Sequence, residues 1–210
     1  MNINVKKLLL TSAGFLNPKI GEEFLELVNK IPKSIKVLFI PTASEYKLEN
    51  GEEMFYVKES EKELIGLGIL KENISWLDIN NTSVAGDVNS YDVMYVCGGN
   101  TFYLMYHLKN TDFDKKIIKF IDSGKVYVGV SAGSVIAGLD ISIASPFDPN
   151  DVNLQDMTGL CVTDKIMCPH YQRKEENIIN EFENKNNCKV LRLTDNQALE
   201  VLGGVSKIIE

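Results

Sequence analysis

Apolar runs of strand length alternate with longer segments of helical period through the first 130 residues. "VKKLLLTS" (5–12) and "IKVLFIPTAS" (35–44) are continuous enough in β-formers to predict strands buried on both faces. Between them, "NPKIGEEFLELVNKI" places Ile20, Phe24, Leu25, Val28 and Ile31 on one helical face, with Pro18 near its start. "NGEEMFYVKESEKELIGLG" (50–68) predicts a second helix, and "ISWLDI" the strand after it. "DVMYVCGGN" is a strand ending in two glycines, followed by helical "TFYLMYHLKN". A further helix in "DFDKKIIKFIDSG" leads into "VYVGV" (126–130). This β-α-β-α alternation predicts an α/β fold, a mostly parallel central sheet with helices on both faces.

After residue 139 the pattern changes. Residues 145–157, "SPFDPNDVNLQDM", hold two prolines, three aspartates and no basic residue, and predict a loop. "LCVTDKIMCPHY" predicts a strand and loop, and "RKEENIINEFENKN" an amphipathic helix. "KVLRLT", "QALEVLGG" and "VSKIIE" close the chain as short strands, antiparallel at an edge. Without repeats, low-complexity tracts or linkers, residues 1–210 predict one domain, and 210 residues with 44% hydrophobic positions suffice for one sizeable core.

Charge narrows the partners. Twenty-nine acidic residues against 22 basic ones give a net charge of -7, which offers little attraction to nucleic acid or anionic lipid. No apolar stretch approaches a membrane span, and "MNINVKKLLLTSAGF" is too short in apolar residues for a signal peptide. Cys97, Cys161, Cys168 and Cys188 form no CxxC pair, and neither His107 nor His170 stands in ligand-like spacing with them. The expectation is a cytoplasmic protein with reduced thiols, no metal and no cofactor.

The candidate chemistry lies in "GKVYVGVSAGSVIAG" (124–138). Ser131 follows a predicted strand within a G-x-S-x-G turn and precedes helix-compatible residues, the setting of a nucleophile elbow. Such a turn leaves the N–H of Ala132 facing a developing oxyanion, with the N-terminus of the following helix aimed at the site. A serine nucleophile needs a base. His107 lies among helical aromatic and aliphatic residues and reads as structural, whereas His170 follows "KIMCP" on a loop at a strand end. The orienting acid is open between Asp148 or Asp151 in the acidic loop and Asp195 in "LTDNQALEV", because triads occur in several chain orders. "CGGNT" is the candidate for a second oxyanion donor, with Asn100 capping the helix behind it.

Four segments, "VCGGNTFYLMYHL", "GVSAGSVIAG", "CPHY" and "LTDNQALEV", together resemble the serine peptidase family that includes dipeptidase E and cyanophycinase. The resemblance spans about residues 5 to 205. It implies a three-layer α/β/α fold like the class I glutamine amidotransferase domains, with serine at the elbow. It also implies Ser131 as nucleophile, His170 as base, Asp195 as first choice of acid with Asp148 second, and Gly99 and Ala132 as oxyanion donors. The activity implied is hydrolysis of short peptides, and a homodimer is compatible with the sequence. Aspartyl dipeptidases of that family carry a basic residue soon after the nucleophile, and "SVIAGLDISIASPFDPNDVN" has none. Arg173 or Lys174 would have to substitute, while the acidic loop with Asp148, Asp151 and Asp156 would suit a free α-amino group or a basic side chain. An α/β-hydrolase esterase and a non-catalytic binding module are the alternatives, the first disfavoured by the absence of an HGGG-type loop.

Overall fold

The computed structural model describes residues 5–48, 55–79 and 87–210. In chain order these form β1 (Lys7–Thr11), α1 (Pro18–Val28), β2 (Val37–Ile40), α2 (Thr42–Leu48), α3 (Phe55–Gly66), β3 (Ile74–Trp76), β4 (Val93–Val96), α4 (Thr101–Asn110), α5 (Phe113–Asp122), β5 (Val126–Val130), α6 (Ala132–Val135), β6 (Ile166–Cys168), α7 (Glu176–Asn186), β7 (Val190–Arg192), β8 (Ala198–Leu202) and β9 (Val205–Ile209). Residues 50–54, the start of the second predicted helix, lie outside the described residues.

Seven strands share one sheet in the order β3-β2-β4-β5-β1-β8-β9. The first five are mutually parallel, and β8 and β9 close the edge antiparallel. Side-chain alternation splits the core. Leu8, Leu10, Leu38, Ile40, Met94 and Val96 face one layer, while Leu9, Val37, Phe39, Val93 and Tyr95 face the other. Helices α1 and α3 pack on the second face, through residues such as Phe24 and Leu64. Helices α4, α5 and α7 pack on the first, through Leu104, Phe120 and Ile179. Each fully buried Leu or Phe among these contributes about 2 kcal/mol. The predicted three-layer α/β/α architecture is the observed one.

Local chemistry sets the helix ends. The Asn17 side chain accepts the Lys19 N–H at 3.1 Å and Pro18 occupies the first turn of α1, which ends where Asn29 turns left-handed at φ 51°. Asn100 caps α4 through the Tyr103 N–H at 2.8 Å.

Three details depart from the sequence expectation. The chain is helical from Thr42, so "IKVLFIPTAS" stops being strand at Pro41, whose carbonyl accepts the Ser44 N–H at 2.8 Å. Strand β7 is not an edge partner of β8. It pairs in parallel with β6 in a separate two-stranded sheet, because both edges of β8 are already taken by β1 and β9. The helix after Ser131 is a single turn. Carbonyls of Ile136, Ala137 and Gly138 accept N–H groups from Leu160, Val162 and Cys161, so the returning segment takes the bonds a longer helix would have used.

Candidate active site

Strand order brings the carboxyl ends of β4, β5 and β1 side by side, and the candidate residues gather there. Ser131 leaves β5 at φ 48°, ψ -109°, a strained conformation for a residue with a Cβ. Its N–H donates to the Thr11 carbonyl at 3.0 Å and its own carbonyl accepts from Ser134 at 2.8 Å, so the turn is held from both sides. The glycines around it are there for close approach. A Cβ on Gly129 would lie 2.4 Å from the Gly133 carbonyl oxygen, and one on Gly133 would lie 2.4 Å from that of Val96. Either methyl would force apart β4, β5 and the elbow. The buried Ser134 hydroxyl reinforces the joint, lying 2.8 Å from the carbonyl oxygens of both Thr11 and Gly129.

His170 follows β6 and Pro169, in a left-handed conformation at φ 56°. Its Nε2 lies 2.9 Å from Ser131 Oγ and its Nδ1 lies 2.6 Å from Asp195 Oδ1. A carboxylate only accepts, which assigns the proton to Nδ1 and leaves Nε2 to accept from the serine hydroxyl. Asp195 sits in the turn after β7, where the Gln197 side chain accepts the Thr194 N–H at 3.0 Å. The imidazole and the carboxylate are both about half exposed, at 52% and 50%. Their hydrogen bond therefore adds little stability, and its value is geometric.

Asp148, the second candidate acid, is engaged elsewhere: its Oδ2 accepts the Thr101 N–H at the start of α4, 2.8 Å away. Asp151 pairs with the Tyr46 hydroxyl and Asp156 with Lys109. His107 lies within α4, against the rings of Tyr103 and Tyr106. Cys168, beside the site, is pushed up to about 11 by burial, which keeps its thiol neutral at physiological pH.

Ser12 was not among the residues singled out from the sequence. Fully buried at the end of β1, its hydroxyl accepts the His170 N–H at 2.7 Å and donates to Asp195 Oδ1 at 3.1 Å. "LLLTSAGF" reads as a strand entering a turn, and nothing local marks Ser12 as the link between residues more than 150 positions away.

Gly98 lies against the elbow, where an added Cβ would be 3.0 Å from that of Ser131. Its carbonyl accepts the Ser44 hydroxyl at 2.5 Å, and the Asn100 N–H donates to the Ala43 carbonyl at 2.9 Å. Gly99 between them has φ 139°, and a Cβ there would lie 2.1 Å from the Ala43 oxygen, so only glycine fits. A cavity of about 120 Å³ opens beside Ser131 and His170, bounded by Asp148 and by a turn of 3-10 helix at Ser142–Ala144. Among the described residues no cluster of three or more His, Cys, Asp or Glu could hold a metal ion, and no helix is long and apolar enough to cross a membrane.

A serine at a strained strand-to-helix turn, with a histidine and a carboxylate in line on an α/β/α sheet, defines a serine-type hydrolase. The model of peptidase family S51 matches residues 8–209, and the chain belongs to that family as a serine-type peptidase. It is 34% identical over 174 residues to an uncharacterized peptidase of Listeria monocytogenes, covering 80% of this chain and 82% of that one. It is 31% identical over 170 residues to peptidase E of Shewanella amazonensis, covering 80% and 68% respectively. A crystal structure of a Listeria monocytogenes protein assigned as a peptidase E superposes with a TM-score of 0.82 over 98% of both chains, at 31% identity.

Proposed function

We propose that this peptidase hydrolyses short peptides through a covalent acyl-enzyme, with Ser131 as nucleophile, His170 as general base and acid, and Asp195 as the group that holds the imidazole. The observation that carries the reading is the unbroken chain of contacts from Ser131 Oγ through both ring nitrogens of His170 to Asp195, 2.9 and 2.6 Å. Ser131 Oγ attacks the scissile carbonyl as its proton passes to His170 Nε2, and the carbonyl π electrons move onto oxygen. Collapse of that tetrahedral species expels the amine, which takes the proton from Nε2. Water then enters, loses a proton to the same nitrogen, and displaces the serine oxygen, which recovers that proton. Asp195 stays ionised throughout and steadies the imidazolium.

Ala132 and Gly99 are the proposed oxyanion donors. Ala132 is the first residue of α6, so its N–H has no partner within the helix. The peptide joining Gly98 to Gly99 is trans, so with its carbonyl held by Ser44 the Gly99 N–H points the opposite way. Because α6 is one turn long, the local N–H rather than a long helix dipole would serve the oxyanion, at about 3 kcal/mol per donor. Residues 1–210 act as one catalytic domain in this reading. Four unpaired cysteines suit a reducing, cytoplasmic setting.

The direct test is labelling with a fluorophosphonate and mapping the adduct. Ser131 is expected to carry it, and His170→Ala to abolish labelling. An adduct elsewhere, or none on folded protein, overturns the nucleophile assignment. Ser12 is proposed as the positioning residue for both partners. Ser12→Ala should lower kcat roughly 10- to 100-fold with KM nearly unchanged, since a displacement of about 1 Å is enough for that loss. Wild-type kcat in the variant would remove Ser12 from the mechanism.

A further inference from the structure

The cavity next to Ser131 has a division of character that bears on what this peptidase cleaves. Its deepest lining is apolar: Val135, Ile143, Ala144, Met167 and Cys168 are all 6% exposed or less. Its two carboxylates, Asp148 and Glu175, belong to half-buried residues, and Phe147 next to Asp148 is 45% exposed, so the charged residues form a less buried part of the lining. Each carboxylate is oriented by a backbone N–H, Asp148 by Thr101 at 2.8 Å and Glu175 by Gln172 at 2.8 Å. Among the described residues no lysine or arginine lines the cavity. Arg173 and Lys174 are exposed on the turn that carries Glu175, outside the lining.

We propose that this cavity receives the aliphatic side chain of a peptide's N-terminal residue, whose free α-ammonium group is met by Asp148 and Glu175 and whose carbonyl is attacked by Ser131. The inference rests on the catalytic reading above and adds the substrate class to it. An acidic side chain entering here would meet no cation and pass two carboxylates, at a cost in desolvation that nothing in the lining offsets. A lysine or arginine side chain would carry its charge past the carboxylates into the apolar end. The volume, about 120 Å³, is somewhat below the roughly 150 Å³ of an apolar cavity that admits benzene, and it suits isobutyl or thioether side chains. An ammonium beside the two carboxylates would give them a charged partner in a lining that is otherwise largely uncharged.

The experiment compares kcat/KM for the 4-nitroanilides of leucine, methionine, aspartate, lysine and N-acetyl-leucine, with fluorophosphonate titration of Ser131 on the same preparation. Leucyl and methionyl substrates should exceed aspartyl and lysyl ones by at least about tenfold, and acetylation should cost a similar factor. In Asp148→Asn and Glu175→Gln the ratio of free to acetylated leucyl substrate should fall several-fold. In Ala144→Phe the preference for leucyl over alanyl substrate should shrink or reverse. Aspartyl or lysyl substrates cleaved as well as leucyl ones, on enzyme whose Ser131 titrates, would overturn the pocket assignment alone. Failure of Ser131 to titrate would overturn the catalytic reading beneath it.

Discussion

Ser131→Ala should lower kcat by roughly five decades, about 7 kcal/mol of lost transition-state stabilisation. In the proposed mechanism the loss is large because serine and histidine act as a unit: without Oγ there is no acyl-enzyme, and the proton path through His170 starts from nothing. A residue of activity should survive, since the proposed oxyanion donors are backbone groups that the substitution leaves in place. Folding should be almost untouched. The hydroxyl removed contacts a half-exposed imidazole, and alanine carries the same Cβ through the same φ of 48°, so any stability change should stay within about 1 kcal/mol. Turnover of dipeptides followed beside a thermal melt checks both halves. Substantial retained turnover would mean that Ser131 is not the nucleophile.

The second large effect separates two aspartates. Asp195→Asn should reduce kcat about 10³-fold or more, and Asp148→Asn far less. An amide at position 195 can donate towards Nδ1, which favours the tautomer whose Nε2 carries the proton and cannot accept one from serine. At position 148 the amide oxygen can still accept the Thr101 N–H, so the loop stays in place and the change falls on substrate binding rather than on the chemical step. Steady-state kinetics on both variants, with kcat and KM resolved, decide the matter. If Asp148→Asn proves the more damaging in kcat, the orienting role belongs to Asp148.

The sequence carried the parallel sheet and the elbow because both are local patterns. Apolar runs of four or five residues ended in glycine or serine, and Ser131 sat between small residues at one such end. His170 was legible for the same reason, through the proline that breaks the run before it. Choosing among the aspartates was beyond spacing, since Asp148 and Asp195 are both plausible turn residues and only tertiary packing decides which one reaches Nδ1. Helix α2 had a signal that the strand reading passed over, namely Pro41 followed by Thr42. The brevity of α6 had none, because its limit is set by hydrogen bonds to residues more than twenty positions later. Ser12 lies at that same horizon.

The proposed nucleophile and proton acceptor ride on different sheets, Ser131 on the seven-stranded one and His170 with Asp195 on the small β6–β7 pair. The 2.9 Å contact between them is thus a ruler laid across a seam. Under the proposed mechanism, a slip of the small sheet by one bond length would silence the enzyme while every strand pairing remained intact, leaving the protein folded and idle. Ser12, anchored in the large sheet and bonded to both residues of the small one, is the dowel that keeps the two halves in register.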